Sequence, residues 1–461
     1  MRRQTFWREP CPHDAPVIRI VGAGPTGSLL AILLQRRGFE IDLYESRADP
    51  RSALAESGRS INLALADRGI HALKAAGVFD KLGSALLPMR GRLIHHENGD
   101  TAFQPYGQRP NEVIYSVSRH RLNRSLIEFA GTLPGVRLHF QHRFESADFS
   151  SKAAHIRDLK HDRLINVPMQ PLLATDGAGS LMRREMKAQG LIEAQETDLE
   201  HGYKELSIPA AADGSFRMAN DALHIWPRGN FMLIALPNED GSFTATLFLR
   251  KHGPLSFESL NDTAAVERFF SRHFADALEL MPQAIAEFSA HPVGFLGTVS
   301  AGPWYTPDTA LIGDAAHAMV PFHGQGMNCC FEDCIEFDAC VARRLPWESV
   351  FAEFCTARKP NTDAIAAMAL ENYLEMRESV ADPAFQLRQA LSLELERRFP
   401  RRFIPRYSMV MFHHEISYST AQQRGAVQAA ILSELTRDAV QLADIDFALA
   451  DTLISGGLPV I

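Results

Sequence analysis

Three glycines, Gly22, Gly24 and Gly27, stand at G-x-G-x-x-G spacing in the stretch V-I-R-I-V-G-A-G-P-T-G, residues 17–27. This pattern suits a pyrophosphate. The first glycine permits a tight turn, the second lets phosphates approach the backbone, and the third lets a helix pack on the strand with its N–H groups facing the anion. The surroundings agree: an apolar run precedes the turn, as for a strand buried on both faces of a parallel sheet. A helical run, S-L-L-A-I-L-L-Q-R-R-G, follows it, and a second strand, I-D-L-Y-E, closes on Glu45. An acidic residue about 20 positions on is placed to bond a ribose 2′-hydroxyl, which favours FAD or NAD over NADP. This stretch does not choose between those two.

Two later segments do. Asp176-Gly177 follows the apolar run P-L-L-A-T, and Asp314 follows T-A-L-I-G, a strand end from which a carboxylate can bond the ribityl chain of a flavin. Beyond it, Gly324-Gln325-Gly326, with Met327 and Asn328 in the next turn, opens a helix near 326. The positive end of such a helix stabilises negative charge on a reduced flavin's pyrimidine ring. A chain that binds only NAD has no use for that element, so the cofactor expected is FAD. Other reactive residues form no pattern. Cys330 and Cys334 are i, i+4 on a helix, but no C-x-x-C or neighbouring His completes a ligand set. No metal is expected, and the cysteines read as reduced core residues. His95-His96 and His413-His414 are adjacent pairs that would face opposite ways on a strand.

The chain has 461 residues, enough for roughly three domains on length. With 46% hydrophobic residues it can bury a sizeable core, and a net charge of −8 without a basic stripe argues against a nucleic-acid partner. No apolar run reaches the length of a membrane span, and the first fifteen residues hold no apolar signal core, so a soluble cytoplasmic protein is expected. Residues 58–69 are expected to open a helix ending near Gly77, Pro88–His96 to be a strand, and 113–127 a strand running into a helix. Strand-like runs between 200 and 250 predict an antiparallel sheet, followed by a helical stretch over 262–289. The fold class is α/β, a Rossmann-type FAD-binding domain over 1–195 and 290–360. An antiparallel substrate sheet over 196–289, with strands from about 88–115, is inserted in it. A C-terminal helical region spans 361–461.

G-A-G-P-T-G, D-G-A-G-S-L-M-R and G-D-A-A-H, in this order, resemble the single-component FAD aromatic hydroxylases, relatives of para-hydroxybenzoate hydroxylase. Finer strings are similar to the branch that hydroxylates L-kynurenine at ring position 3. They include G-R-S-I-N-L-A-L from Gly58, M-R-G-R from Met89, P-F-H-G-Q-G-M-N from Pro321, E-N-Y-L-E-M from Glu371 and F-I-P-R-Y-S-M-V from Phe403. The resemblance runs from 17 to about 412. It implies FAD, NADPH and O2 as reactants, with a flavin C4a-hydroperoxide attacking the ring carbon beside the aniline nitrogen. It implies that Arg92 and Tyr106 bind the substrate carboxylate, with Asn372 and Tyr407 completing that end. Leu223, Ile234, Leu236, Phe248, Pro321 and Phe322 would surround the ring, and Glu375 and Met376 would lie near the entrance. His323 and Gln325 would lie over the flavin's reactive face as the catalytic candidates. Arg59 and Arg119 would join Gly22, Gly24, Gly27, Glu45, Asp176, Asp314, Gly324, Gly326, Met327 and Asn328 on the cofactor. On residue type alone, Arg92 reads equally as a surface charge on a strand, and the apolar positions as ordinary core. The hydrophobic tail that anchors eukaryotic members to membranes has no counterpart in the last ~50 residues. A homodimer is the candidate assembly. A hydroxylase of another aromatic acid, a flavin-dependent reductase and a non-catalytic flavoprotein are the competing readings.

Overall fold

The computed structural model describes residues 17–52, 62–375 and 382–461. Its centre is a six-stranded sheet in the order Tyr305–Thr306, Thr309–Leu311, Leu172–Ala174, Ile18–Val21, Ile41–Glu45, Val136–Phe140. All neighbours are parallel except the outermost two-residue strand, which folds back on Thr309–Leu311. Ile18, Ile20, Ile41, Leu43, Leu172 and Leu173 are buried, and helices cover the sheet. This is why these strands read as apolar runs and not as alternation. The helix Pro25–Arg36 crosses from the first strand to the second, with proline in its first turn, where the missing N–H costs nothing. A three-stranded antiparallel meander, His142–Asp148, Ala153–Asp158 and Arg163–Pro168, stands beside this layer.

The second large sheet also has six strands, in the order His201–Ile208, Phe243–Arg250, Met232–Pro237, Ala222–Pro227, Gly91–His95, Thr101–Pro105. One pair is parallel, Ala222–Ile225 alongside Gly91–Ile94, and it joins the early strands to the later ones. Alternation gives this sheet two different faces. One carries Trp226, Leu233 and Leu247 against Phe269, Phe270, Phe274 and Phe288. The other carries Ile94, Ile225, Met232 and Phe248 towards Phe322 and Tyr373. The second face is the one that meets the FAD-binding layer.

Three expectations change. Residues 62–65 form a strand, paired with Tyr115–Ser118, and the helix begins only at Asp67. The alternation around Asn62 outweighs helix propensity, and the Asn62 amide secures the strand by donating to Ser116 Oγ, Pro237 O and Asn238 Oδ1. The segment 88–96 is two strands. Leu87–Met89 belongs to a three-stranded sheet with Asn62–Leu65 and Ile114–Ser118, and Gly91–His95 to the large one. Gly91 marks the change, because a Cβ there would sit 2.4 Å from Gln104 O. The stretch 262–289 is broken into Thr263–His273, Ala275–Leu280 and Ala284–Ala290 by non-helical backbone at Phe274 and Met281.

The C-terminal region is helical, and its longest element, Trp347–Leu374, runs through Pro360. The expected boundary at 360 therefore falls inside one continuous helix. The helices Pro383–Arg398, Tyr418–Leu435 and Phe447–Gly457 share a separate core of Leu391, Leu395, Phe403, Ile431 and Ile454. Among the described residues, no helix is long and apolar enough to cross a membrane. Cys329, Cys330, Cys334, Cys340 and Cys355 are buried free thiols.

Candidate active site

The dinucleotide turn has the geometry its spacing implies. Gly22 has φ +99, and a Cβ on it would lie 2.5 Å from Thr175 O; a Cβ on Gly27 would lie 2.0 Å from Gly22 O. A Cβ on Gly24 would meet nothing within 4 Å, so this residue faces open space beside the helix N-terminus. That terminus has no side-chain cap, which leaves its first N–H groups to an anion. Glu45 stands at the end of the neighbouring strand, accepting from Ala23 N at 3.0 Å and Arg47 N at 2.9 Å. Asp176 Oδ2 accepts from Leu181 N at 2.9 Å, in the first turn of the helix Leu181–Ala188, whose N-cap is Ser180. Its Oδ1 is buried without a hydrogen-bond partner, and burial raises the carboxyl's pKa. Asp314 opens a short helix after Gly313, and Cys330 Sγ lies 3.4 Å from its Oδ1.

Gly324 is left-handed, with φ +65, and leads through Gln325 into the helix Gly326–Val341, whose N-terminus also lacks a side-chain cap. Asn328 is fully buried and braces this turn. Its Nδ2 donates to Ala64 O and Gly324 O, both at 2.8 Å, and its Oδ1 accepts from Ala66 N at 2.9 Å. Its side chain therefore serves the loop. Met327 packs against the core of the central layer. Arg119 is exposed at the start of the helix Arg119–Ala130, and Arg59 lies outside the described residues. The open space at Gly24, two uncapped helix N-termini and the orphaned Asp176 oxygen fit FAD.

At the other end, four elements bring the polar candidates together. Arg92 projects from Gly91–His95, Tyr106 follows Thr101–Pro105, Tyr407 lies in Arg406–Phe412, and Glu375 ends the long helix. The Tyr106 and Tyr407 rings stack at 5.8 Å, and His323 stacks on Tyr407 at 5.4 Å. The Arg92 guanidinium carbon is 5.0 Å from the Tyr407 ring centre and 5.9 Å from that of Tyr106. Its Nε is buried with no hydrogen-bond partner. Burial opposes its charge, but Tyr407, Tyr106 and Glu375 outweigh that and raise its pKa. An enclosed, partly unsatisfied guanidinium is a ready site for a carboxylate.

Beside it, Leu223 and Ile234 bridge two apolar clusters, one containing Leu236 and Tyr407, the other Phe248 and Phe322. Phe322 stacks on Tyr373 at 4.0 Å and meets Phe248 at 5.0 Å. Tyr373 was not singled out by the sequence, although it adjoins Asn372. Asn372 Nδ2 donates to Phe322 O at 2.6 Å, so it steadies the loop. Pro321 is exposed at the start of that loop, and Met376 lies outside the described residues.

The two catalytic candidates diverge. His323 is buried on the tyrosine side with Nδ1 unpartnered, and burial pushes its imidazole down to about 3. Gln325 points instead into the C-terminal helices. His224, on the far face of the large sheet, is likewise pushed down by burial, to about 4, and bonds His95 at 2.9 Å. Below pH ~6.5 both imidazoles gain a proton on unfolding, since their unfolded pKa is about 6.5. The unfolded chain then binds more protons, so stability is full above pH ~6.5 and falls as the pH drops towards those lower values. Each imidazole should remove about 1–2 kcal/mol by pH 5. Urea unfolding at pH 7 and pH 5 checks this: the difference should shrink in His224→Gln, and an unchanged difference would refute it.

The model of the FAD binding domain family matches residues 14–339. Kynurenine 3-monooxygenase of Stenotrophomonas maltophilia (strain K279a) is 48% identical over 450 residues, covering 97% of this chain and 98% of that protein. Kynurenine 3-monooxygenase of Myxococcus xanthus (strain DK1622) is 44% identical over 442 residues, covering 96% and 95%. The solved structure of a tetrameric form of 2-methyl-3-hydroxypyridine-5-carboxylic acid oxygenase superposes with a TM-score of 0.61 at 18% identity, covering 82% of this chain and 96% of that one; this shows a shared fold. Identity at that level along nearly the whole chain, on a fold whose glycine turn and helix ends suit FAD, places it: the chain belongs to the kynurenine 3-monooxygenase family of FAD-dependent aromatic hydroxylases.

Proposed function

We propose that the chain hydroxylates L-kynurenine at ring C3, with FAD bound and with NADPH and O2 consumed. The observation that carries this reading is the buried, unpartnered Arg92 Nε at the rim of an apolar wall. An aromatic amino acid matches both halves of such a site. FAD, when bound, would supply the redox chemistry of a monooxygenation that consumes NADPH and O2, with one oxygen atom going to the ring and the other to water. The protein's part is to bind, orient and exclude water.

Arg92 takes the α-carboxylate in its planar fork, and the Tyr106 and Tyr407 hydroxyls add donors at the same end. Glu375 supplies a carboxylate there, which suits the α-ammonium. Leu223, Ile234, Leu236, Phe248 and Phe322 hold the ring and keep water from it. The aniline nitrogen already donates electrons to the adjoining ring carbon, so the reaction needs no strong base. A neutral His323 accords with that. Asn372 and Asn328 position the loop between Pro321 and Gly326 from its two ends.

The test is NADPH consumption by the FAD-loaded protein, with 3-hydroxykynurenine followed by chromatography. Stoichiometric product with kynurenine-stimulated NADPH loss is the expected result. Stimulated loss that yields only hydrogen peroxide would make kynurenine a mimic of another substrate, and no stimulation would refute the reading.

A further inference from the structure

The Gln325 side chain is fully buried. Its Oε1 accepts from the Tyr418 hydroxyl at 2.7 Å, and its Nε2 lies 2.9 Å from Met411 Sδ. Both partners belong to C-terminal helices, Arg406–Phe412 and Tyr418–Leu435. The amide can satisfy them in only one sense, because its flip would turn the carbonyl oxygen onto a sulfur that donates nothing. Tyr418 is in turn fixed. It has no exposed surface, and the Arg68 guanidinium lies over its ring at 3.9 Å. Arg68 pairs with Glu332 and donates to the carbonyls of His413 and Ile416, clasping the connector that leads into the Tyr418 helix. Gln325 also occupies the N-cap position of Gly326–Val341 without capping it. A residue that does not cap its own helix, yet is held at both ends of its amide by the C-terminal helices, has the arrangement of a tether.

We propose that Tyr418 is a positioning residue. Through Gln325 it fixes the backbone from Gly324 to Gly326, so that the free N–H groups of the following helix are set for the pyrimidine end of FAD. Gln325 works by holding that turn and does not touch substrate. Asn328 bonds Gly324 O from within the FAD-binding layer, so losing the Tyr418 tether loosens the turn without releasing it. The C-terminal helices thereby take part in cofactor binding although they contribute no group to it. The proposal rests on the chain's binding FAD, and on no assignment of substrate.

A double-mutant cycle on FAD affinity tests it, using the full chain and flavin fluorescence with Tyr418→Phe, Gln325→Leu and both together. Each single change should weaken binding about tenfold, and the pair also about tenfold, because the second change removes an interaction already lost. A pair weakened about a hundredfold would give Gln325 a contact of its own and overturn the proposal. FAD affinity unchanged in Tyr418→Phe, with only the thermal midpoint lowered, would make the bond mere scaffold and overturn it too. A wild-type protein that binds FAD but makes no 3-hydroxykynurenine would fail the assigned reaction and leave this cycle readable.

Discussion

Replacing Arg358 with methionine should lower the unfolding free energy by about 3–5 kcal/mol, the cost of leaving a buried carboxylate without its cation. Arg358 is 3% exposed on the long C-terminal helix. Its Nε donates to Asp333 Oδ1 at 2.7 Å and its Nη1 to Glu332 Oε2 at 2.6 Å. Asp333 is wholly buried, and its other oxygen lies 2.6 Å from His317 Nε2. Burial alone would raise the Asp333 pKa, but His317 and Arg358 outweigh it and hold the carboxyl ionised. Glu332 also pairs with Arg68, so two guanidiniums balance two carboxylates where the central layer meets the C-terminal helices. Methionine keeps most of the volume and removes the charge. Denaturant unfolding of the single variant measures the loss. Arg358→Met with Asp333→Leu should recover much of it, since a removed pair costs far less than a broken one. A single variant within about 1 kcal/mol of wild type would show that His317 alone suffices for Asp333.

This network shows where reading the sequence stops. The glycine turn was legible because its three glycines stand at fixed spacing after an apolar run, although the atoms that crowd Gly22 and help crowd Gly27 belong to Thr175, far along the chain. The parallel layer was legible because strands buried on both faces carry continuous apolar runs. Glu332, Asp333 and Arg358 carry no such mark. They are charges on helices, and only packing turns them inward. Gln325 was placed in its loop correctly by the motif, but its side-chain direction depends on Met411 and Tyr418, which lie far along the chain. The helix expected after Gly58 starts late for a similar reason: a strand pairing with Tyr115–Ser118 overrode local propensity at 62–65, and the helix begins at Asp67. Arg92 lay between these cases. Its strand was readable, but the face it occupies was decided by Tyr106 and Tyr407.

Arg92 carries the other large effect. Arg92→Met should weaken kynurenine binding at least tenfold, about 1.4 kcal/mol. Hydrogen bonds to a charged partner are worth about 1.5–3 kcal/mol each, so a hundredfold loss is within reach. The Arg92 Nε is already desolvated and unpartnered, so most of its burial cost has been met by folding, and a carboxylate gains nearly the full interaction. Arg92→Lys keeps the charge on a shorter, unforked group and should fall between wild type and methionine. The carboxylate lies away from the reacting carbon, so its loss is shared by ground and transition states. KM should rise while the saturating rate of NADPH consumption stays near that of wild type. The Phe248–Phe322–Tyr373 wall still confines the ring, but with the amino-acid end untethered the ring can slide along it. The share of NADPH recovered as 3-hydroxykynurenine should therefore fall, with hydrogen peroxide making up the balance. Equilibrium titration with kynurenine separates the two effects. An unchanged dissociation constant in Arg92→Met would remove this residue from the carboxylate site, and the anchor would then lie with Tyr106 and Tyr407 alone.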